Sequence, residues 1–168
     1  MALSLGASAC TKGEGAKAEG AGADPSGLPS RPAPTFETKN LEAEEVSLED
    51  LKGTVVLLNT WATWCEPCMR ELPVLADLHR SLEPRGFTVI GLNADSRRKL
   101  VAVRKAVAHN GIPYPVWVDF ENKAQVAFEL NGYPTSFLID REGNIRWQRE
   151  GVIVENDPEF MRALEQLL

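Results

Sequence analysis

Two cysteines three positions apart stand at the junction of two different patterns, in Trp64-Cys65-Glu66-Pro67-Cys68, and that junction limits what the chain can become. Before it, residues 54–60 form an apolar run that reads as a buried strand. After it, Leu72, Leu75, Ala76 and Leu78 fall on one face of a helix expected to run to about Glu83, with Pro73 inside it as a bend. The first turn of a helix leaves backbone N–H groups without partners and carries the positive end of the macrodipole. A sulfur just ahead of it is therefore favoured as a thiolate. Cys65 is the expected nucleophile and Cys68, inside the helix, the expected resolving thiol. Pro67 suits the first turn, where the N–H it lacks would have had no partner.

The chemistry requires this spacing. A thiolate attacks a substrate disulfide, a mixed disulfide forms, and a second thiol must reach the first sulfur to release the product. Two intervening residues at a helix start permit the Cα separation of roughly 4.4–6.8 Å that a disulfide needs. Other uses of the pair stay open at this point. A zinc site would need four ligands, and Cys10, His79 and His109 are not suitably spaced to supply the rest. An inert structural bridge seldom occupies a helix start that activates one of its sulfurs. A Cu(I) module using the two soft thiolates, and a non-catalytic interaction domain, are the readings from other functional classes.

With 168 residues, 43% of them apolar, the chain can form one domain with a substantial core. Residues 1–34 differ in kind: Gly, Ala, Pro and Ser dominate and no periodic apolar face appears, so 11–34 reads as a disordered tether. Residues 1–10 resemble the tail of a bacterial lipoprotein signal, small residues leading to Cys10 as a lipid-attachment cysteine, although the basic start and most of the apolar stretch are absent. Lys12, Lys17 and Arg31 cancel Glu14, Glu19 and Asp24, so the formal charge of -6 belongs to residues 35–168 and argues against nucleic acid as a partner. No apolar run reaches the roughly 18 residues that a membrane-spanning helix needs.

The remaining pattern gives an N-terminal β-hairpin within 33–47, a buried strand at 87–93, a helix at 97–109, a strand at 115–119 and a short helix at 123–130. A hairpin follows at 135–149, then a helix capped by Asp157 with Pro158 in its first position. Trp117 and Trp147 read as strand residues packing on the sheet, and His79 and His109 as helix-surface residues. The order is that of an α/β domain with a mixed central sheet and helices on both faces.

Two motifs carry a family resemblance: residues 59–73, Asn-Thr-Trp-Ala-Thr-Trp-Cys-Glu-Pro-Cys-Met-Arg-Glu-Leu-Pro, and residues 132–140, Gly-Tyr-Pro-Thr-Ser-Phe-Leu-Ile-Asp. Over 35–168 the chain resembles the thioredoxin fold, in its TlpA/ResA-like branch of membrane-tethered, extracytoplasmic thiol-disulfide oxidoreductases. Segment 94–134 then looks like the αβ insertion of that branch. The resemblance implies a cis-proline at Pro134, with Tyr133 before it offering backbone groups to an extended substrate. It also implies a buried Glu71 relaying the proton of Cys68, with Asn59 where short thioredoxins carry an acid, and an aromatic shelf of Trp61 and Trp64. Glu66, a carboxylate beside Cys65, is expected to disfavour the thiolate and so to favour a reductant. The resemblance implies no cofactor beyond the redox-active pair, and a monomer working in the periplasm or on the outer face of the membrane. Its clients would be protein disulfides, such as the Cys-x-x-Cys-His of apocytochrome c, and its electrons would come from a membrane thiol-disulfide donor. Copper-site maturation and general reduction of other disulfide clients are the alternatives within the branch.

Overall fold

A computed structural model of the protein describes residues 27–168; Cys10, residues 1–10 and most of the expected tether lie outside them. In chain order the elements are β1 (Arg31–Pro32), β2 (Glu37–Asn40), β3 (Glu45–Ser47), β4 (Val55–Trp61), α1 (Glu66–Leu82), β5 (Phe87–Asn93), α2 (Leu100–His109), β6 (Val116–Val118), α3 (Lys123–Ala127), β7 (Thr135–Ile139), β8 (Asn144–Glu150) and α4 (Pro158–Leu167). The strands form one 8-stranded sheet in the order β1-β8-β7-β4-β5-β6-β2-β3. The central β4 and β5 run parallel in full register, from Val55 opposite Phe87 to Trp61 opposite Asn93. On its other side β4 pairs antiparallel with β7.

Strands covered on both faces need no polar alternation, which is why β4 and β5 appear in the sequence as near-continuous apolar runs. Their side chains feed two cores by turns. Val55, Leu57 and Val89 meet α1 and α4 on one face, while Val56, Leu58, Ile90 and Leu92 meet Ala124 of α3 and Phe128 on the other. α1 is continuous through Pro73. At the start of α4 the Asp157 carboxylate accepts the Glu159 and Phe160 N–H groups at 3.1 and 2.9 Å, as the Asp-Pro signal predicts. No helix among the described residues is long and apolar enough to cross a membrane.

Two local expectations are corrected. The sheet begins before residue 35, because Arg31 and Pro32 pair with Ile145 and Asn144 of β8 and the Arg146 Nε–H donates to the Pro29 carbonyl at 3.1 Å. A two-residue edge strand needs only the open edge of β8, so no periodic pattern announces it. His79, expected on the helix surface, is buried. β6 begins to pair with β5 only at Gly91, and the N–H of Val89, two residues earlier, donates instead to His79 Nδ1 at 3.3 Å. The imidazole thus finishes a ladder that the short neighbouring strand leaves incomplete. His109 is exposed, and Trp117 and Trp147 are buried.

Candidate active site

β4 ends at Trp61, α1 starts at Glu66, and the four residues between them place the sulfurs. Cys65 has extended backbone (φ -90°, ψ 97°) and occupies the N-cap position, its Sγ accepting the Cys68 N–H at 3.2 Å. A backbone donor of the first helical turn is thereby aimed at this sulfur, an arrangement that favours negative charge on it when the bond is open. The two cysteines form a disulfide with their Cα atoms 5.3 Å apart. Cys65 retains 6% of its surface and Cys68 none, so a second molecule can reach only Cys65.

The surroundings divide into an exposed side and a buried side. Trp64 is 65% exposed and stands edge-on to Tyr133, the ring centroids 5.6 Å apart. The Tyr133–Pro134 peptide is cis, and the Pro134 carbonyl accepts the Gly151 N–H at 2.8 Å. Pro67 lies exposed in the first turn. Glu66 is also exposed, but it is not the isolated charge that its position beside Cys65 suggests. Arg70, one turn along α1, donates to its carboxylate at 2.6 Å, so its repulsion of a Cys65 thiolate is partly offset.

On the buried side lies Glu71, three residues after Cys68 on α1 and 1% exposed. Its Oε2 accepts the Asn59 Nδ2–H at 2.9 Å and its Oε1 accepts the Ile153 N–H. Removal from water raises its pKa from 4.5 to about 7, against the pull of those two hydrogen bonds. The carboxyl is therefore poised to exchange a proton near neutrality. Asn59 also donates to Ser136 Oγ at 3.0 Å, which with its bond to Glu71 ties β4, β7 and α1 together. Tyr114, buried and packed edge-on to His79 at 5.8 Å, has its phenol pushed upward by burial first and then by the Glu71 charge.

Sequence reasoning missed Ile153, whose contribution is a backbone N–H and has no side-chain signature. It also missed Asp95, 1% exposed and two residues beyond β5, whose carboxylate accepts both the Thr63 N–H at 2.7 Å and the Thr63 hydroxyl at 2.9 Å. A polar Asn93-Ala94-Asp95 at the carboxyl end of a buried parallel strand was the available clue, since such ends are where α/β sheets place functional groups. Among the described residues no three His, Cys, Asp or Glu side chains converge as a metal site would require.

Residues 29–148 match the AhpC/TSA family. The thiol-disulfide oxidoreductase ResA of Bacillus thuringiensis (strain Al Hakam) is 38% identical over 113 residues, which are 67% of this chain and 64% of that protein. The chain thus spans a little under two thirds of that relative's length. The thiol-disulfide oxidoreductase ResA of Geobacillus kaustophilus (strain HTA426) is 31% identical over 135 residues, 80% of this chain and 75% of that protein. Among solved structures, a thiol:disulfide interchange protein of the thioredoxin family from Chlorobium tepidum TLS superposes with a TM-score of 0.71 at 30% identity, covering 82% of this chain and 96% of that one.

Proposed function

The chain belongs to the AhpC/TSA family and has the thioredoxin-like α/β fold, and on that footing we propose that it is a thiol-disulfide oxidoreductase that reduces disulfides of proteins outside the cytoplasm. The observation that carries this reading is the inequality of the two sulfurs. One is capped by a helical N–H and reachable, and the other is enclosed in α1, three residues before a buried carboxyl whose pKa is raised to about 7.

With the pair reduced, the Cys65 thiolate attacks one sulfur of the substrate disulfide and the other substrate sulfur leaves as a thiolate. Cys68 then gives its proton to Glu71 and attacks Cys65 Sγ. The Cys65–Cys68 bond forms, the second substrate sulfur departs, and two electrons have passed to the substrate. Ionised Glu71 opposes a lasting thiolate beside it, which favours the oxidised pair and hence electron donation. Tyr133, Pro134 and the exposed Trp64 would receive the extended substrate segment. The client class we favour is the oxidised Cys-x-x-Cys-His of an apocytochrome c. A membrane thiol-disulfide donor would restore the dithiol, and the protein would act as a monomer anchored through lipidated Cys10.

A Cys68→Ala variant removes the resolving step. Reduced and mixed with an oxidised Cys-x-x-Cys-His peptide, it should yield a covalent adduct through Cys65 that dithiothreitol releases, and Cys65→Ser should yield none. Absence of the adduct with Cys68→Ala would overturn the reading.

A further inference from the structure

We propose that Asp95 is a positioning residue for this exchange, holding the segment ahead of Cys65 so that Trp64 is already in place when a protein substrate docks; the proposal rests on the oxidoreductase reading above. Residues 62–65 belong to no strand or helix. Their own internal support is a single backbone bond, from the Cys65 N–H to the Ala62 carbonyl at 3.1 Å. From α1, the Met69 N–H donates to the Cys65 carbonyl at 3.1 Å and the Cys68 N–H to Cys65 Sγ, and the remaining support comes from the chain just after β5. The Ala94 N–H donates to the Trp61 carbonyl at 2.9 Å, and Asp95 takes both donors of Thr63, the residue immediately before Trp64.

A carboxylate taken out of water must be repaid in hydrogen bonds. Asp95 accepts three: the two from Thr63 and one from the Asn93 Nδ2–H at 3.0 Å, while its own N–H donates to Asn93 Oδ1 at 3.1 Å. Two of the three acceptor bonds thus fix one residue of an otherwise irregular segment. Beyond that residue stands an indole with most of its surface in solvent, touching Tyr133 by its edge alone among the aromatic contacts of the described residues. Such a side chain adds to docking only if its backbone is ordered beforehand, because otherwise the substrate must supply the ordering free energy. Asp95 reaches the loop and not the sulfurs, so its loss should weaken docking of a protein and spare the reaction of a disulfide too small to touch Trp64.

The test compares wild type with Asp95→Ala, Asp95→Asn and Thr63→Val, using insulin as the protein disulfide, bis(2-hydroxyethyl) disulfide as the small one, and dithiothreitol as donor. Asparagine can keep all three bonds, its oxygen accepting the Thr63 N–H and Asn93 amide while its NH2 donates to the Thr63 hydroxyl. For Asp95→Ala we expect KM for insulin to rise about tenfold with kcat within about twofold, and kcat/KM for the small disulfide to stay within about twofold. Asp95→Asn should restore the KM for insulin to within about threefold of wild type. The proposal is overturned if Asp95→Ala leaves that KM unchanged, if Asp95→Asn is impaired as much as Asp95→Ala, or if the small disulfide loses activity in parallel. Should Asp95→Ala not fold, Thr63→Val decides: loss of the hydroxyl bond alone should raise KM for insulin about threefold, and an unchanged KM overturns the proposal. A wild-type protein inactive on both disulfides would instead remove the oxidoreductase reading itself.

Discussion

Replacing Glu71 by glutamine should change how stability depends on pH, and the structure sets both the sign and the size of the change. Burial raises the Glu71 pKa from 4.5 to about 7, so between those values the folded chain holds a proton that the unfolded chain has released. The contribution of this group to stability is therefore fully present below 4.5 and is lost as pH rises through about 7. One pKa unit corresponds to about 1.4 kcal/mol, so the displacement from 4.5 to about 7 amounts to about 3 kcal/mol. The amide does not titrate. Whatever constant offset it introduces through altered bonding to Asn59 and Ile153 is the same at every pH, and Tyr114, whose phenol feels the Glu71 charge, is raised above its usual 10 and stays protonated throughout the range measured. Urea unfolding of both proteins, disulfide intact, at steps from about pH 4 to about pH 8 gives the difference directly. The stability of Glu71→Gln minus that of wild type should climb by about 3 kcal/mol across this range. A flat difference would refute the reasoning. A difference of opposite slope would show that the hydrogen bonds from Asn59 and Ile153 outweigh the loss of hydration, and that Glu71 is held as an anion.

Two further outcomes follow from buried groups outside the dithiol. His79→Ala should cost about 2–4 kcal/mol in urea unfolding, since it opens a cavity and strips the buried Val89 N–H of its acceptor. Burial first of all lowers the His79 pKa below its usual 6.5, so the neutral imidazole's contribution is complete above 6.5 and is lost as pH falls through the folded value. This acid-side loss should vanish in the variant, and its persistence would argue against the assignment. Asp140→Ala should cost about 3–5 kcal/mol by thermal or urea unfolding, because the buried Arg146 guanidinium loses a carboxylate 2.9 Å away. The same carboxylate accepts the Asn144 N–H at 2.7 Å in the β7–β8 turn. A loss below about 1 kcal/mol would mean that the pair is not the anchor of that hairpin.

The dithiol, the strand before it and the helix after it were legible because each rests on contacts between near neighbours in the chain: apolar periodicity, a sulfur at the N-cap, a proline in the first turn. The Asp157 cap and the two central strands were legible for the same reason. The ion pair of Glu66 with Arg70 has the i,i+4 spacing that makes such pairs and was equally legible. Other features depended on what the fold brings alongside. The environment of Glu71 is set by Asn59, 12 residues before it, and by a backbone N–H 82 residues after it. His79 turns inward because β6 stops short of Val89, and Arg31–Pro32 join the sheet because β8 offers an open edge. Desolvation and long-range hydrogen bonding are properties of the place where a residue comes to rest. Residue type and local spacing therefore picked out the two cysteines that form the disulfide, while the proton affinity of the Glu71 carboxyl and the hydrogen bonds from Thr63 to Asp95 arose only when distant segments met.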